Sequence, residues 1–211
     1  MEMGRADSFR IGGARAASPA FAQSELDLLD VAQLAEPAFL KAWERLVACA
    51  AEPNPFFEPW FLIPALRQWG ANNRVITKVW YHDGQLAGLL PVVRSARYYS
   101  HAVTHATGWL HANAFCGVPL VAAGNEEAFW RDMLAHFDRQ ARRALFWHLP
   151  MLPAGGPINA ALDRVLAQQH RNHYTVAEQN RALLTGDTTA DAYFEASMSA
   201  KKRKELRRQH N

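Results

Sequence analysis

The stretch RVITKVWYHDGQLAGLLPVVRS, residues 74–95, leaves the chain little local choice. Two runs rich in β-branched and aromatic residues flank Asp83-Gly84. A two-residue hairpin turn of type I′ needs positive φ at both central positions, and Asp-Gly supplies it at low steric penalty. The segment therefore predicts an antiparallel hairpin.

Elements on both sides give the hairpin something to pack against. Upstream, ELDLLD (25–30) reads as a short strand. AEPAFLKAWERLVACAA follows, with Phe39, Leu40, Trp43, Leu46 and Val47 at three- and four-residue steps, the spacing of an amphipathic helix. Pro37 suits its first turn. A second apolar helix runs through Trp60, Leu62, Leu66 and Trp69 and is expected to stop at Gly70, kinked or shortened by Pro64. Downstream, residues 97–121 predict a long loop and one strand near Phe115 to Val121. NEEAFWRDMLAHFDRQAR predicts a helix with Glu126 and Glu127 in its first turn and basic residues at its end, as the helix dipole favours. ALFWHLP reads as a short buried strand, INAALDRVLAQQH as a helix, and HYTVAEQNRALLTG as a strand followed by a turn or second strand. One or two helices close the chain, with Ser199 a candidate N-cap. Interleaved strands and helices predict an α/β fold, a mixed sheet covered by helices.

Charge is unevenly placed. Lys201, Lys202, Arg203, Lys204, Arg207 and Arg208 stand against Glu205 alone in the last eleven residues. Six cations less one acid give +5, so the chain total of +3 leaves −2 for residues 1–200. With the remainder slightly acidic and no recognisable nucleic-acid module, the tail reads as a solvated helix face or linker rather than a nucleic-acid-binding arm. Residues 1–23 read as a disordered leader, with a transit peptide the alternative. No apolar run of about 18 residues exists to span a membrane. Two cysteines, Cys49 and Cys116, make no disulfide framework, and a cytoplasmic location is the expectation.

No residue set stands out as reaction machinery. His101, His105 and His111 recur in HAVTHATGWLH, and His170 and His173 in HRNH. A His-x-x-x-His pair ligates zinc on a helix, but Val103, Thr104, Thr107 and Gly108 disfavour one there and no Cys or acid lies close, so no metal site is expected. Cys116 reads as a small buried hydrophobe. Glu126 with Glu127, and Asp187 with Asp191, fit helix starts better than acid–base work. In NPFFEPW, Asn54, Phe56, Phe57 and Trp60 are candidates to line a substrate cleft, the alternative being that they anchor a loop on the core.

The element order resembles the GNAT plan of acetyltransferases. NPFFEPWFL (54–62), DGQLAGLLPVVR (83–94), FCGVPLV (115–121) and SMSAKKRKELRRQHN (197–211), in that order, are similar to the CelD/BcsL, or BioF2-like, acetyltransferases, themselves related to FemAB-type double-GNAT transferases. The resemblance implies a GNAT-like mixed sheet with flanking helices forming the N-terminal half of a double-GNAT protein. Residues 24–196 would be the domain, and 197–211 a basic linker helix leading to a missing C-terminal GNAT-like domain. Transfer would run from acetyl-CoA or acyl-CoA to an amine or hydroxyl, on a small-molecule or saccharide acceptor of the cell-envelope polysaccharide kind. The glycine-rich turn that receives the CoA pyrophosphate in GNAT enzymes is not recognisable. RIGGAR (10–15) has no strand before it, and QLAGLL (85–90) lies inside the hairpin. No cofactor is therefore expected in this chain and no activity from it alone. The residues leave two other readings open, a non-catalytic protein-interaction domain and a basic-tailed nucleic-acid binder.

Overall fold

The structure is a computed structural model describing residues 24–140, 144–181 and 189–210. The expected leader lies outside them. One unit extends to Asn172 and a second begins at His173.

The hairpin forms as the turn chemistry predicts. β2 (Ile76–His82) and β3 (Gln85–Ser95) pair antiparallel around Asp83 and Gly84, at φ 50° and 74°. β1 (Ser24–Leu29) adds antiparallel to β2, from Ser24 opposite His82 to Leu29 opposite Thr77. Between β1 and β2 lie α1 (Val31–Leu34), α2 (Pro37–Cys49), a 3₁₀ turn (Pro55–Phe57), α3 (Pro59–Ala65) and α4 (Ala71–Asn73). Asp30 opens α1 with a reciprocal cap, its carboxylate taking the N–H groups of Ala32 and Gln33 while Gln33 reaches back to Asp30 N.

Gly70 does not end the second helix as expected. A π-helical turn, Leu66–Gly70, follows Pro64 and carries the chain into α4, which stops at left-handed Arg74 (φ 52°). Pro64 lacks the N–H that would bond the carbonyl of Trp60, and the helix widens just beyond it rather than breaking. Gly70 itself is helical, at φ −68°.

Opposite β3 the strand prediction needs correction. β4 (His105–Gly108) arises inside the expected loop and pairs with Val92–Ser95. Of the strand expected over 115–121, only Leu120–Val121 pairs, as β5 against Gly88 and Leu89. β4 and β5 thus occupy successive lengths of one edge of β3, and residues 109–119 loop out between them. HATG carries no alternation to reveal a strand, and Gly117 and Pro119 interrupt the run that seemed to hold one.

α5 (Glu126–Arg139) then crosses to β6 (Trp147–His148), which lies parallel to β4. Phe129 of α5 packs on Gly88, where a Cβ would meet its ring at 2.6 Å, and Trp80 Nε1 donates to Asp132 of α5 at 2.8 Å. α6 (Pro157–Gln168) packs on α5, with Trp130 Nε1 donating to Ile158 O at 2.9 Å. Trp43, Phe57, Trp80, Leu89, Leu90, Phe129 and Trp130 form the heart of a continuous core. The outcome is an α/β mixed sheet with flanking helices, in the order β1-β2-β3-β4-β6 with β5 also on β3.

In the second unit, residues 173–181 take no regular structure where a strand was expected, and the rest of that expectation, through 186, lies outside the described residues. Thr189 caps α7 (Ala190–Ser197) through Ala192 N. Ser199 caps α8 (Ala200–His210) as expected, accepting from Lys202 N at 3.4 Å.

Candidate functional site

Asn54 is the knot of the NPFF segment. Its Oδ1 accepts from Phe56 N at 3.1 Å, shaping the 3₁₀ turn. Its Nδ2 donates to Val118 O at 2.7 Å and to Cys116 O at 3.3 Å, fastening the looped-out segment 109–119. The residue is fully buried, and Phe57 beside it is also in the core, its carbonyl taking Trp43 Nε1 at 3.0 Å. These two candidates are structural supports.

The other two open onto an aromatic surface. Phe56 is half-buried and meets the edges of Phe61 and Phe115. Trp60 is 64% exposed, oriented by its Nε1 donating to Glu58 Oε2 at 2.7 Å. Around them stand Phe115, 58% exposed, Trp69, 42% exposed, and His111, whose ring lies nearly parallel to both Phe61 and Trp69 at 5.2 and 4.9 Å. His111 Nδ1 accepts from Asn113 N, so the neutral ring carries its proton on Nε2, which is buried and has no partner among the described residues. Burial pushes its pKa down, and the ring is a neutral stacking element rather than a cation. Sequence reasoning missed Phe61, Trp69, His111 and Phe115. The i and i+8 positions of Phe61 and Trp69 were legible as helix, but nothing local said which loop would cover them.

The crossover from β4 to β6 runs through α5, whose start is acidic. Glu126 Oε1 accepts from Gly124 N at 3.0 Å, and Glu127 is held by Arg164 Nε at 2.7 Å and Arg131 Nη1 at 3.2 Å. The Arg164 hydrogen bond keeps the Glu127 carboxyl below its usual range, so it stays ionised. Two carboxylates, one of them paired with Arg131 and Arg164, stand at this helix start, while the Asn125 side chain makes no capping bond. The exits of β4 and β6 are also filled. Gly117 N donates to Met151 O at 2.9 Å, and a Cβ on Gly117 would sit 1.9 Å from Pro150 O. Gly88 of QLAGLL makes room for Phe129, while RIGGAR lies outside the described residues.

The histidines are dispersed. His105 is buried against Phe146 and Tyr98, with His148 beside Tyr98, while His111 belongs to the aromatic surface. No cluster of three metal-ligating side chains occurs among the described residues. Cys49 ends α2 exposed, and burial pushes the Cys116 thiol up, away from nucleophilic use. In α8, Arg203 Nη1 donates to the Glu195 and Met198 carbonyls, closing the end of α7, and Glu205 lies near Arg208 and Gln209. No described helix is long and apolar enough to cross a membrane.

No protein-family profile matches the chain, and no curated protein does. Among solved structures it is similar to an acetyltransferase of Trypanosoma brucei, at 15% identity and TM-score 0.43 over 77% of this chain and 100% of that one. It is also similar to an aminoglycoside acetyltransferase from an uncultured soil metagenomic sample, in complex with sisomicin, at 15% identity and TM-score 0.45 over 76% and 97%. A predicted acetyltransferase of Clostridium acetobutylicum, with acetyl-CoA, aligns at 12% identity and TM-score 0.42 over 75% and 96%.

Proposed function

We propose that this chain is the acceptor-side lobe of an acyltransferase, with the acyl-CoA held by a second lobe and the acyl group passing to a hydroxyl or amine of a saccharide. The exposed rings of Trp60, Trp69 and Phe115, braced from beneath by Phe56, Phe61 and His111, carry the reading. Rigid aromatic faces offer large contact area at low conformational entropy, and the apolar face of a sugar ring stacks on such a surface while its hydroxyls stay wet. The acidic start of α5 and the filled exits of β4 and β6 support placing the donor elsewhere. GNAT chemistry requires positioning of amine or hydroxyl against thioester and removal of one proton; no metal is needed.

Titration of the full chain with a β-linked N-acetylglucosamine tetrasaccharide tests the acceptor role. Saturable binding is expected, weakened at least tenfold in Trp60→Ala with unchanged thermal stability. Absence of binding, or binding indifferent to Trp60 and Trp69, refutes it. Calorimetry with acetyl-CoA tests the donor claim separately: no tight binding is expected, and sub-micromolar affinity overturns it.

A further inference from the structure

A second opening lies away from the aromatic surface, and strand register explains how it forms. Residues paired across an antiparallel ladder project to the same side. Leu28 pairs with Lys78 and Lys78 with Leu90, Ile76 pairs with Val92, and Arg94 pairs with Ala106, which pairs in turn with Trp147. These rows share one side of the sheet with Trp80, the side on which α5 lies. Met133, His136 and Phe137 cover the rows incompletely, leaving a groove of about 580 Å³, within the roughly 300–1,000 Å³ usual for small-molecule sites.

The floor is apolar, and the charge is of one sign. Arg74, Lys78 and Arg94 line the groove, and no acid pairs with any of them among the described residues. Of the groups facing Lys78, β1 supplies Leu28, β3 supplies Leu90, and α5 supplies His136 and Arg139. His136 accepts from Gln140 and stays neutral, its pKa pushed down to about 4 by burial and by the charges of Lys78 and Arg139. The carbonyl end of α5 opposes a bound anion, and Arg139 in its last turn offsets that. Lys78 is mostly buried with no counter-ion among the described residues, an arrangement that destabilises the empty protein and is relieved when an anion enters.

We propose that this groove binds a single-chain amphiphile with a carboxylate head, the head drawn by the cations Arg74, Lys78 and Arg94 and the chain lying on the apolar lining that Val92, Met133 and Phe137 supply. The three cations, unpaired among the described residues, select the anion, and the apolar floor, where Ile76 is 44% exposed, selects an alkyl tail over a free small anion.

Dodecanoate, dodecanol and dodecyltrimethylammonium are the probes, with Trp fluorescence and calorimetry as readouts on the full chain. Dodecanoate is expected to bind at least tenfold more tightly than dodecanol, with no binding of the cation. Lys78→Met and the exposed Arg94→Gln should each weaken dodecanoate at least fivefold and leave dodecanol unchanged. Arg94→Gln keeps the test valid should the first variant misfold. Affinity should fall from pH 7 to 10 as Lys78, held down at about 8, gives up its proton. Equal affinity for dodecanoate and dodecanol, insensitivity to both substitutions, or binding only to phosphatidylglycerol vesicles with none to monomeric dodecanoate would each overturn the assignment.

Discussion

Asn54 Nδ2 lies 2.7 Å from the Val118 carbonyl, joining the turn before α3 to a segment more than sixty positions later in the chain. This one side chain fixes both the 3₁₀ turn and the loop that completes the aromatic surface. Asn54→Ala would strip partners from Phe56 N, Cys116 O and Val118 O at a fully buried position, a loss of about 2–4 kcal/mol in urea unfolding. Asn54→Asp should be no better, because a carboxylate would face two carbonyl oxygens. A loss below about 0.5 kcal/mol for Asn54→Ala would show that the clasp is not what holds the loop.

Gly88 and Phe129 meet where α5 packs on the sheet. A methyl at residue 88 would stand 2.6 Å from the Phe129 ring, so Gly88→Ala should destabilise by about 1–3 kcal/mol through overpacking. Combining it with Phe129→Leu tests the cause. The double variant should be clearly more stable than the sum of the singles, whereas strict additivity would mean that the two side chains do not collide.

Glu52 caps α6 from a distance. Its Oε1 accepts from Ile158 N at 2.8 Å, and a Cβ on Gly156 would strike its carboxylate. Glu52→Ala is expected to lose about 1–2 kcal/mol, while Glu52→Gln, which keeps an acceptor but not the charge beside the helix start, should lose about 0.3–1 kcal/mol. Equal losses would assign the effect to the carboxylate charge beside the helix start rather than to the hydrogen bond it accepts.

Lys78 makes stability depend on alkaline pH with a defined sign. Burial first, and Arg139 second, hold its pKa down at about 8 against 10.5 unfolded. Between those values the unfolded chain binds more protons, so stability rises with pH; below about 8 both states are protonated and the full penalty applies. Lys78→Met should therefore stabilise the protein at pH 7 by on the order of 2–3 kcal/mol and flatten its curve from pH 8 to 10 relative to the parent. A variant less stable than the parent at pH 7 would mean that the ammonium is satisfied where it lies.

Parts of this protein were legible because their causes are local. Asp83-Gly84 fixed the hairpin through turn sterics, the apolar spacing of Phe39 to Val47 marked α2, and the acidic start and basic end of α5 marked that helix. Ser199 announced its cap. Each depends on residues within a turn or two of one another, and the chemistry is complete before the chain has folded. NPFFEPW was recognisable as an aromatic segment, but not the division of labour within it. Asn54 and Phe57 go inward and Trp60 outward because the loop at Cys116–Val118 offers its carbonyls there.

β4 was hidden because HATG becomes a strand only against the edge that Val92–Ser95 leaves free. The groove was hidden for a related reason. Neither Lys78 in ITKVW nor Arg94 carries a local sign that the two line one groove. Pairing register set Leu28, Lys78 and Leu90 in one row, and the path of α5 covered that row only in part. Which residues neighbour one another across a sheet, and how far a helix extends over them, are set by contacts distant in sequence, and there tertiary structure alone decided.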